Sequence, residues 1–295
     1  LLHFHINKTS KEEIFMISIR NYKKVESLEE AYQLNQQKAN RIIGGMLWIK
    51  MGEGNVNTAI DMSGLGLDTI QETEDAFELG CMVTLRQLET HPGLLAYTAG
   101  AMREAVRHIV GVQFRNVATL GGSIYGRYGF SDVLTMFLAM DSYVELYQGG
   151  VIPLKDFAAM NYDRDILVRL IVKKEQARFY YTSVRNSATD FPVLTCAGAL
   201  VKSTGQWRMA VGARPGRALL YGDDERLLQG IGEKDAQGRQ QAAAAYGAWL
   251  KEQVPTDSNL RGSAQYRSHL VEVLAARTVK CLSEHTENEG EAYVG

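Results

Sequence analysis

Two glycine pairs set the terms on which this chain can fold. Gly44-Gly45 follows directly on Arg41-Ile42-Ile43, a short strand signal, and Gly121-Gly122 lies in the middle of residues 111–132, GVQFRNVATLGGSIYGRYGFSD. Glycine has no Cβ, so a pair of them lets a backbone approach another backbone or a phosphate at distances any side chain forbids. The first pair taken alone stays open between a plain turn and a phosphate loop. The second sits in a segment poor in helix signals and is expected to be a long irregular loop, which compact domains usually keep for function.

The remaining pattern frames these loops. Residues 17–22 alternate as a strand, and Ser27, Glu30 and the spacing Leu28, Ala31, Leu34 mark a capped helix. A strand over 59–62 completes a small β-α-β unit. A strand is expected over 77–82, a short helix capped by Thr84, and one amphipathic helix over 94–109. Beyond the second glycine pair come an apolar helix over 133–140, a hairpin of 142–147 and 151–153 about Gly149-Gly150, and a strand over 166–172. The pattern then changes. Strand-like runs at 178–184, 197–202 and 206–211 suggest a meander, and helices are expected over 224–229, 237–252 and 263–283. A boundary near 172–174 gives a domain over 16–172 and a second over 173–284. Residues 1–15, ahead of Met16, read as an N-terminal extension, and 285–295 as a flexible tail.

Length and composition narrow the class. A chain of 295 residues suits two or three packed units, and 45% hydrophobic residues exclude global disorder. A formal net charge of -2 offers no basic field for nucleic acid. No apolar run reaches the roughly 18 residues of a membrane span, and residues 1–15 lack the apolar stretch of a signal peptide. Cys81, Cys196 and Cys281 are widely spaced and form no metal-ligand pattern, so a reducing, cytoplasmic setting is expected. Three thiols are too few for the four that usually hold an iron–sulfur cluster.

Small polar residues around the second pair bear on chemistry. Thr119 and Ser123 can donate to pyrophosphate or ribityl oxygens. Asp132 can accept from a sugar or ribityl hydroxyl, or cap the helix that follows it, and the residues alone do not choose. Two glycine loops can hold the phosphates of a dinucleotide from both sides, unlike the single GxGxxG turn of a Rossmann fold, which is absent here, as is a P-loop. No Ser/His/Asp or Cys/His signature appears. His91 reads as a turn or helix-end residue and His108 as structural. Tyr125, Tyr128 and Phe130 stay open between walling a ring and plain packing. Arg261 and Arg267 read as helix-surface charges, with a partner contact as the alternative.

The order of a GG loop, then RNVATLGGSI, then SD before an apolar helix resembles the FAD-binding subunits of molybdenum hydroxylases, the medium subunits of xanthine and carbon monoxide dehydrogenases. Val184, Arg185, Asn186, Ser187, Ala188 and Asp190, together with LRGSAQYR at 260–267, extend the resemblance over about residues 16–282. It implies an α+β fold: a PCMH-type FAD-binding fold of two α+β subdomains followed by a C-terminal α/β domain of the CO dehydrogenase flavoprotein type. By motif, Ile43, Gly44, Gly45, Met46, Leu47 and Trp48 would form the first pyrophosphate loop. Ala118, Thr119, Gly121, Gly122, Ser123 and Ile124 would form the second, Asp132 would meet ribityl or ribose hydroxyls, and Leu167 would lie against the flavin ring.

The resemblance further implies an oxidoreductase subunit with FAD as its own cofactor. Molybdopterin and 2Fe-2S clusters would sit on a molybdopterin-binding subunit and an iron–sulfur subunit, with electrons leaving FAD for NAD+ or another acceptor. No residue is assigned a catalytic acid or base role, and no metal site is expected on this chain. Purines are the first expectation for the substrate, from LRGSAQYR. Four positions depart from the pattern: Met46 where many relatives have Thr, His or Ser, Ser123 where many have Asn, Gly129-Phe130 where Pro is common, and Tyr181 near a frequent Lys. A hydrogen bond to a charged group is worth about 1.5–3 kcal/mol. A non-enzymatic scaffold with a degenerate flavin site is therefore the competing expectation. A stand-alone flavin oxidase with a covalent link is disfavoured, because neither glycine loop holds His or Cys.

Overall fold

Strand β1 (Ser18–Lys24), helix α1 (Leu28–Asn35) and strands β2 (Arg41–Ile43) and β3 (Asn55–Asp61) form the expected β-α-β opening of the computed structural model, which describes residues 17–284. The extension at 1–15 and the tail at 285–295 lie outside the described residues. Ser27 Oγ accepts the Glu30 N–H at 3.1 Å, which caps α1 as the sequence signals. The strands pair in parallel in the order β1-β3-β2, so Gly44 leaves the sheet from an edge strand.

The second sheet follows, with β4 (Ile70–Glu72) and β5 (Ala76–Gly80). Six helices then run in series: α2 (Leu85–Thr90), α3 (Pro92–Tyr97), α4 (Ala101–Arg107), α5 (Val112–Arg115), α6 (Leu120–Tyr125) and α7 (Asp132–Ala139). Strands β6 (Ser142–Leu146) and β7 (Gly150–Pro153), helix α8 (Leu154–Ala159) and strand β8 (Leu167–Lys173) complete a five-stranded antiparallel sheet in the order β4-β5-β8-β6-β7. The third sheet is the expected meander, β9 (Ala177–Arg185), β10 (Pro192–Val201), β11 (Trp207–Gly212) and β12 (Leu219–Tyr221). Helices α9 (Ala236–Gln253) and α10 (Ala264–Ser283) pack together, with α10 against β9 and β10.

The junction between the second and third sheets is α7. All eight of its residues are buried, six of them apolar and two, Asp132 and Thr135, polar, and it touches β6, β10 and β11. Thr135 and Thr195 join hydroxyls at 2.9 Å inside this contact. A polar pair is tolerated there because each hydroxyl has a partner.

Four expectations need correction. The helix over 94–109 is two helices, because Ala99 and Gly100 take φ of 48° and 85° and the Gly100 N–H closes back on Leu95 O at 2.9 Å, a glycine stop. The irregular loop over 111–132 holds α5 and α6. Thr119 Oγ1 caps α6 by accepting the Gly122 N–H at 3.1 Å, and tertiary bonds from Leu120 N to Val83 O and Gly121 N to Cys81 O, both 2.7 Å, outweigh the poor helix propensity of its glycines. The helix over 224–229 is absent; Asp223 instead accepts the Leu227 and Leu228 N–H groups at 2.8 Å, and only a 3-10 turn at Ile231–Glu233 follows. Arg267 is a core residue, 1% exposed, donating to the carbonyls of Val193, Ala213, Asp257 and Gly262.

Candidate functional site

The first glycine loop turns because β2 ends at an edge and Met46 adopts φ of 55°, in the left-handed region. Among the described residues, the backbone N–H groups of Gly45, Met46, Leu47 and Trp48 donate to no protein acceptor. N–H groups left free in series make a concavity suited to an anion.

The two loops lie against each other. A Cβ at Gly44 would stand 2.6 Å from Thr119 Oγ1, and one at Gly45 only 2.0 Å from Val117 O. A Cβ at Gly121 would stand 2.6 Å from Cys81 O. The glycines therefore serve close packing: Gly44 and Gly45 fit loop to loop, and Gly121 fits the second loop onto the end of β5. Behind the second loop, Arg115 is held by Glu89, Nε to Oε2 at 2.8 Å and Nη2 to Oε1 at 3.0 Å.

Both loops open onto a cleft of about 420 Å³, which also takes in residues 108–110, 128, 130–133, 185 and 189–192. Its size falls within the usual range of ligand sites, roughly 300–1,000 Å³. Of the residues singled out in the sequence, Gly44, Gly45, Met46, Leu47, Trp48, Ala118, Thr119, Gly122, Ser123 and Asp132 line it together. Ile43, Gly121, Ile124 and Leu167 do not; Gly121 and Ile124 are buried in α6, and Leu167 is buried in β8 opposite Leu146. Tyr125 turns elsewhere and donates to Asp163 O at 2.7 Å.

An aromatic cluster walls the cleft. Trp48 meets Tyr128, Phe130 and Phe191 at ring-centroid distances of 5.6, 5.2 and 5.6 Å, and Tyr128 stacks on Phe130 at 5.2 Å. Phe191 was not singled out beforehand, nor were Ile109, Val110 and Phe114 in the cleft wall. The one sequence signal for Phe191 is its place directly after Asp190, a residue of the family resemblance.

Asp132 is fully buried but does not cap α7. Ser131 does, its Oγ accepting the Leu134 N–H at 3.1 Å, which frees the Asp132 carboxylate. Oδ1 of Asp132 accepts from Tyr181 Oη and from Arg185 Nη2. Burial pushes its pKa up to about 6, against the opposing pull of Arg185 and Tyr181. Tyr181 thus supplies a neutral donor, and among the described residues Arg185 is the one cation bonded to Asp132. His108 also lines the cleft as the C-terminal cap of α4. Burial lowers its pKa, helped by the nearby charges of Arg107 and Arg185, so its imidazole is neutral near pH 7.

The residues present fit a bound dinucleotide: four free N–H groups for phosphates, hydroxyls at Thr119 and Ser123, a carboxylate for hydroxyls and aromatic walls for rings. Comparison with known proteins points the same way. Residues 16–174 match the FAD binding domain in molybdopterin dehydrogenase. The chain is 24% identical over 262 residues to the Escherichia coli protein YgfM, covering 88% of this chain and 94% of that one. It is 25% identical over 272 residues to the nicotine 6-hydroxylase medium subunit of Paenarthrobacter nicotinovorans, covering 86% and 93%. Its fold superposes on a chain of the carbon monoxide dehydrogenase of Hydrogenophaga pseudoflava with a TM-score of 0.76 at 21% identity, covering 89% of this chain and 96% of the other.

Proposed function

This chain belongs to the family of FAD-binding domains of molybdopterin dehydrogenases, and from that premise we propose that it is the electron-relay subunit of a molybdenum hydroxylase of the xanthine dehydrogenase type. It takes electrons from 2Fe-2S clusters on an iron–sulfur subunit, which a molybdopterin-binding subunit feeds, and passes them to NAD+ or another acceptor. The observation that carries the proposal is the contact of the two glycine loops beside four free backbone N–H groups.

Bound FAD supplies the redox chemistry, and the protein supplies binding and orientation. Gly45, Met46, Leu47 and Trp48 offer N–H groups to the pyrophosphate, on the frame given by Ile43 and Gly44. Thr119 and Ser123 add hydroxyls, with Ala118, Gly121, Gly122 and Ile124 fixing the second loop. Oδ2 of Asp132, left over when Oδ1 binds Tyr181 and Arg185, accepts from ribityl or ribose hydroxyls. We assign Leu167 to the side of the flavin ring as support from behind the cleft wall, on the strength of its place beneath the second loop: the next residue, Val168, accepts the Cys81 N–H at 3.0 Å, and Cys81 accepts that of Gly121.

We also propose domain limits of 16–172 and 173–284, supported by the change of sheet between β8 and β9. A cytoplasmic setting is supported by three free cysteines; no helix among the described residues is long and apolar enough to cross a membrane. A nitrogen heterocycle such as a purine is the proposed substrate of the assembly. LRGSAQYR supports kinship only, since Arg267 binds backbone carbonyls of its own domain.

The test is anaerobic reduction in the assembled complex. Adding a purine should bleach the flavin band, and NAD+ should restore it. A flavin that stays oxidised while the molybdenum centre is reduced would overturn the relay. A second reading, a scaffold with a degenerate flavin site, is favoured by Met46, whose side chain offers no hydrogen-bonding group where Thr or His is common.

A further inference from the structure

Outside the cleft, one cluster of charge lacks any counterion. Lys155 on α8 and Arg214 and Arg217 before β12 share a hollow of about 230 Å³ with Leu138, Leu219 and Leu220, and no carboxylate lines it. The two guanidinium groups are held in place by backbone carbonyls. Arg214 donates to Arg217 O and Pro255 O, both at 2.8 Å, and Arg217 to Ala158 O at 3.1 Å and Met160 O at 2.9 Å. Among the described residues, none of the three cations has an ion-pair partner. The nearby Asp156 does not line the hollow.

The apolar surface runs on from there. Met160 is 36%, Tyr162 57% and Leu219 36% exposed. Arg217 lies 5.2 Å from the Tyr162 ring centroid, and the buried Arg127 lies 4.4 Å from the same centroid and donates to the same Met160 carbonyl at 2.9 Å. Arg, Met and Tyr held rigidly around a small apolar hollow are the residue types enriched at protein interfaces. The hollow is smaller than the roughly 300 Å³ at the low end of small-molecule sites. Its position is informative. The Tyr162 hydroxyl donates to Gly126 O, two residues before Tyr128, whose ring lines the cleft.

We propose that this basic, apolar face is the docking surface for an acidic segment of the iron–sulfur partner, with an apolar side chain seated among Leu138, Leu219 and Leu220 and carboxylates meeting Lys155, Arg214 and Arg217. The proposal rests on the electron-relay function proposed above. A partner seated here is linked to the cleft wall through Tyr162 and residues 126–128, and the preset guanidinium groups reward carboxylates with little loss of side-chain freedom.

The test compares the full chain with a Lys155→Glu/Leu219→Glu variant and a Lys234→Glu control, each loaded with FAD and titrated with the purified iron–sulfur subunit. The side chains of Lys155 and Leu219 are exposed and make no described hydrogen bond or ion pair, so FAD content should match that of the parent chain. The double variant should bind the partner at least about tenfold more weakly. Parent binding should also weaken as salt rises from about 50 to 300 mM, and Lys234→Glu should bind as the parent does. Equal partner affinity for the double variant and the parent would overturn the docking surface while leaving the relay intact. A parent chain that holds FAD yet binds no iron–sulfur subunit would instead overturn the relay. Protection of the hollow by a free dicarboxylate such as succinate, with partner affinity unchanged by the double variant, would assign the face to a small anion and overturn the proposal.

Discussion

Glu89 and Arg115 form a bidentate ion pair beneath the second glycine loop, at 2.8 and 3.0 Å, with both side chains about 6% exposed. Burial would raise the Glu89 pKa, but hydrogen bonds from Arg115 and Arg86 outweigh it and hold the carboxyl below the ordinary range. Glu89→Gln leaves the Arg115 charge buried and uncompensated, which should cost about 3–5 kcal/mol. A carboxyl with a depressed pKa contributes stability above its unfolded pKa and loses it as pH falls through the folded one. Urea melts at pH 7 and pH 3.5 should therefore show a large gap between parent and variant that narrows in acid. An equal gap at both pH values would contradict the assigned role of the pair.

Gly45→Ala drives a Cβ to within 2.0 Å of Val117 O, and backbone cannot swing aside as a side chain can. The two loops must part. Overpacking of this kind costs about 1–3 kcal/mol. FAD affinity measured by fluorescence quenching should fall at least tenfold. Unchanged affinity would show that the contact between the loops does not build the phosphate site.

The glycine pairs were only partly legible: each alone reads equally well as a turn, and only their order ahead of a Ser-Asp helix start, through the family resemblance, set them side by side. The helices inside residues 111–132 were not legible. Thr119 can cap α6 only once Leu120 and Gly121 are tied to Val83 and Cys81, residues some 40 positions back, on the order of the separation that no local pattern reports. Arg267 misled for a similar reason. Its neighbours on α10 spell a surface position, yet it is the carbonyls of Val193 and Ala213, far off in sequence, that bury it. Leu167, taken from a short motif, stands behind the cleft wall, whereas Phe191, with no motif, stands in it.

Met46 is a side-chain-bearing residue at φ of 55°. That conformation costs about 1–2 kcal/mol for an L residue. Met46→Gly removes the strain and keeps all four loop N–H groups. Its thermal midpoint should rise by about 2 °C, with FAD affinity at least maintained. A fall in affinity would mean that the Met46 side chain itself contacts the ligand.

Asp132 gives a pH dependence of the opposite sign from Glu89. Its pKa, pushed up to about 6 by burial against the pull of Arg185 and Tyr181, means that the native state holds its proton more tightly than the unfolded chain. That advantage is present below the ordinary carboxylate range and is lost as pH rises through about 6. Relative to Asp132→Asn, the parent chain should lose stability between pH 4 and 6.5, by on the order of 2–3 kcal/mol. A difference between the two proteins that stays flat across this window would contradict the buried carboxyl.

The central claim is that the cleft between the two glycine loops holds FAD. The most direct measurement is the flavin content of the purified chain, alone and with its iron–sulfur and molybdopterin-binding partners, after incubation with FAD and removal of the excess. One FAD per chain, with less retained by Gly45→Ala, is the predicted result. No retained flavin, even in the assembled complex, would contradict it and leave the chain a scaffold.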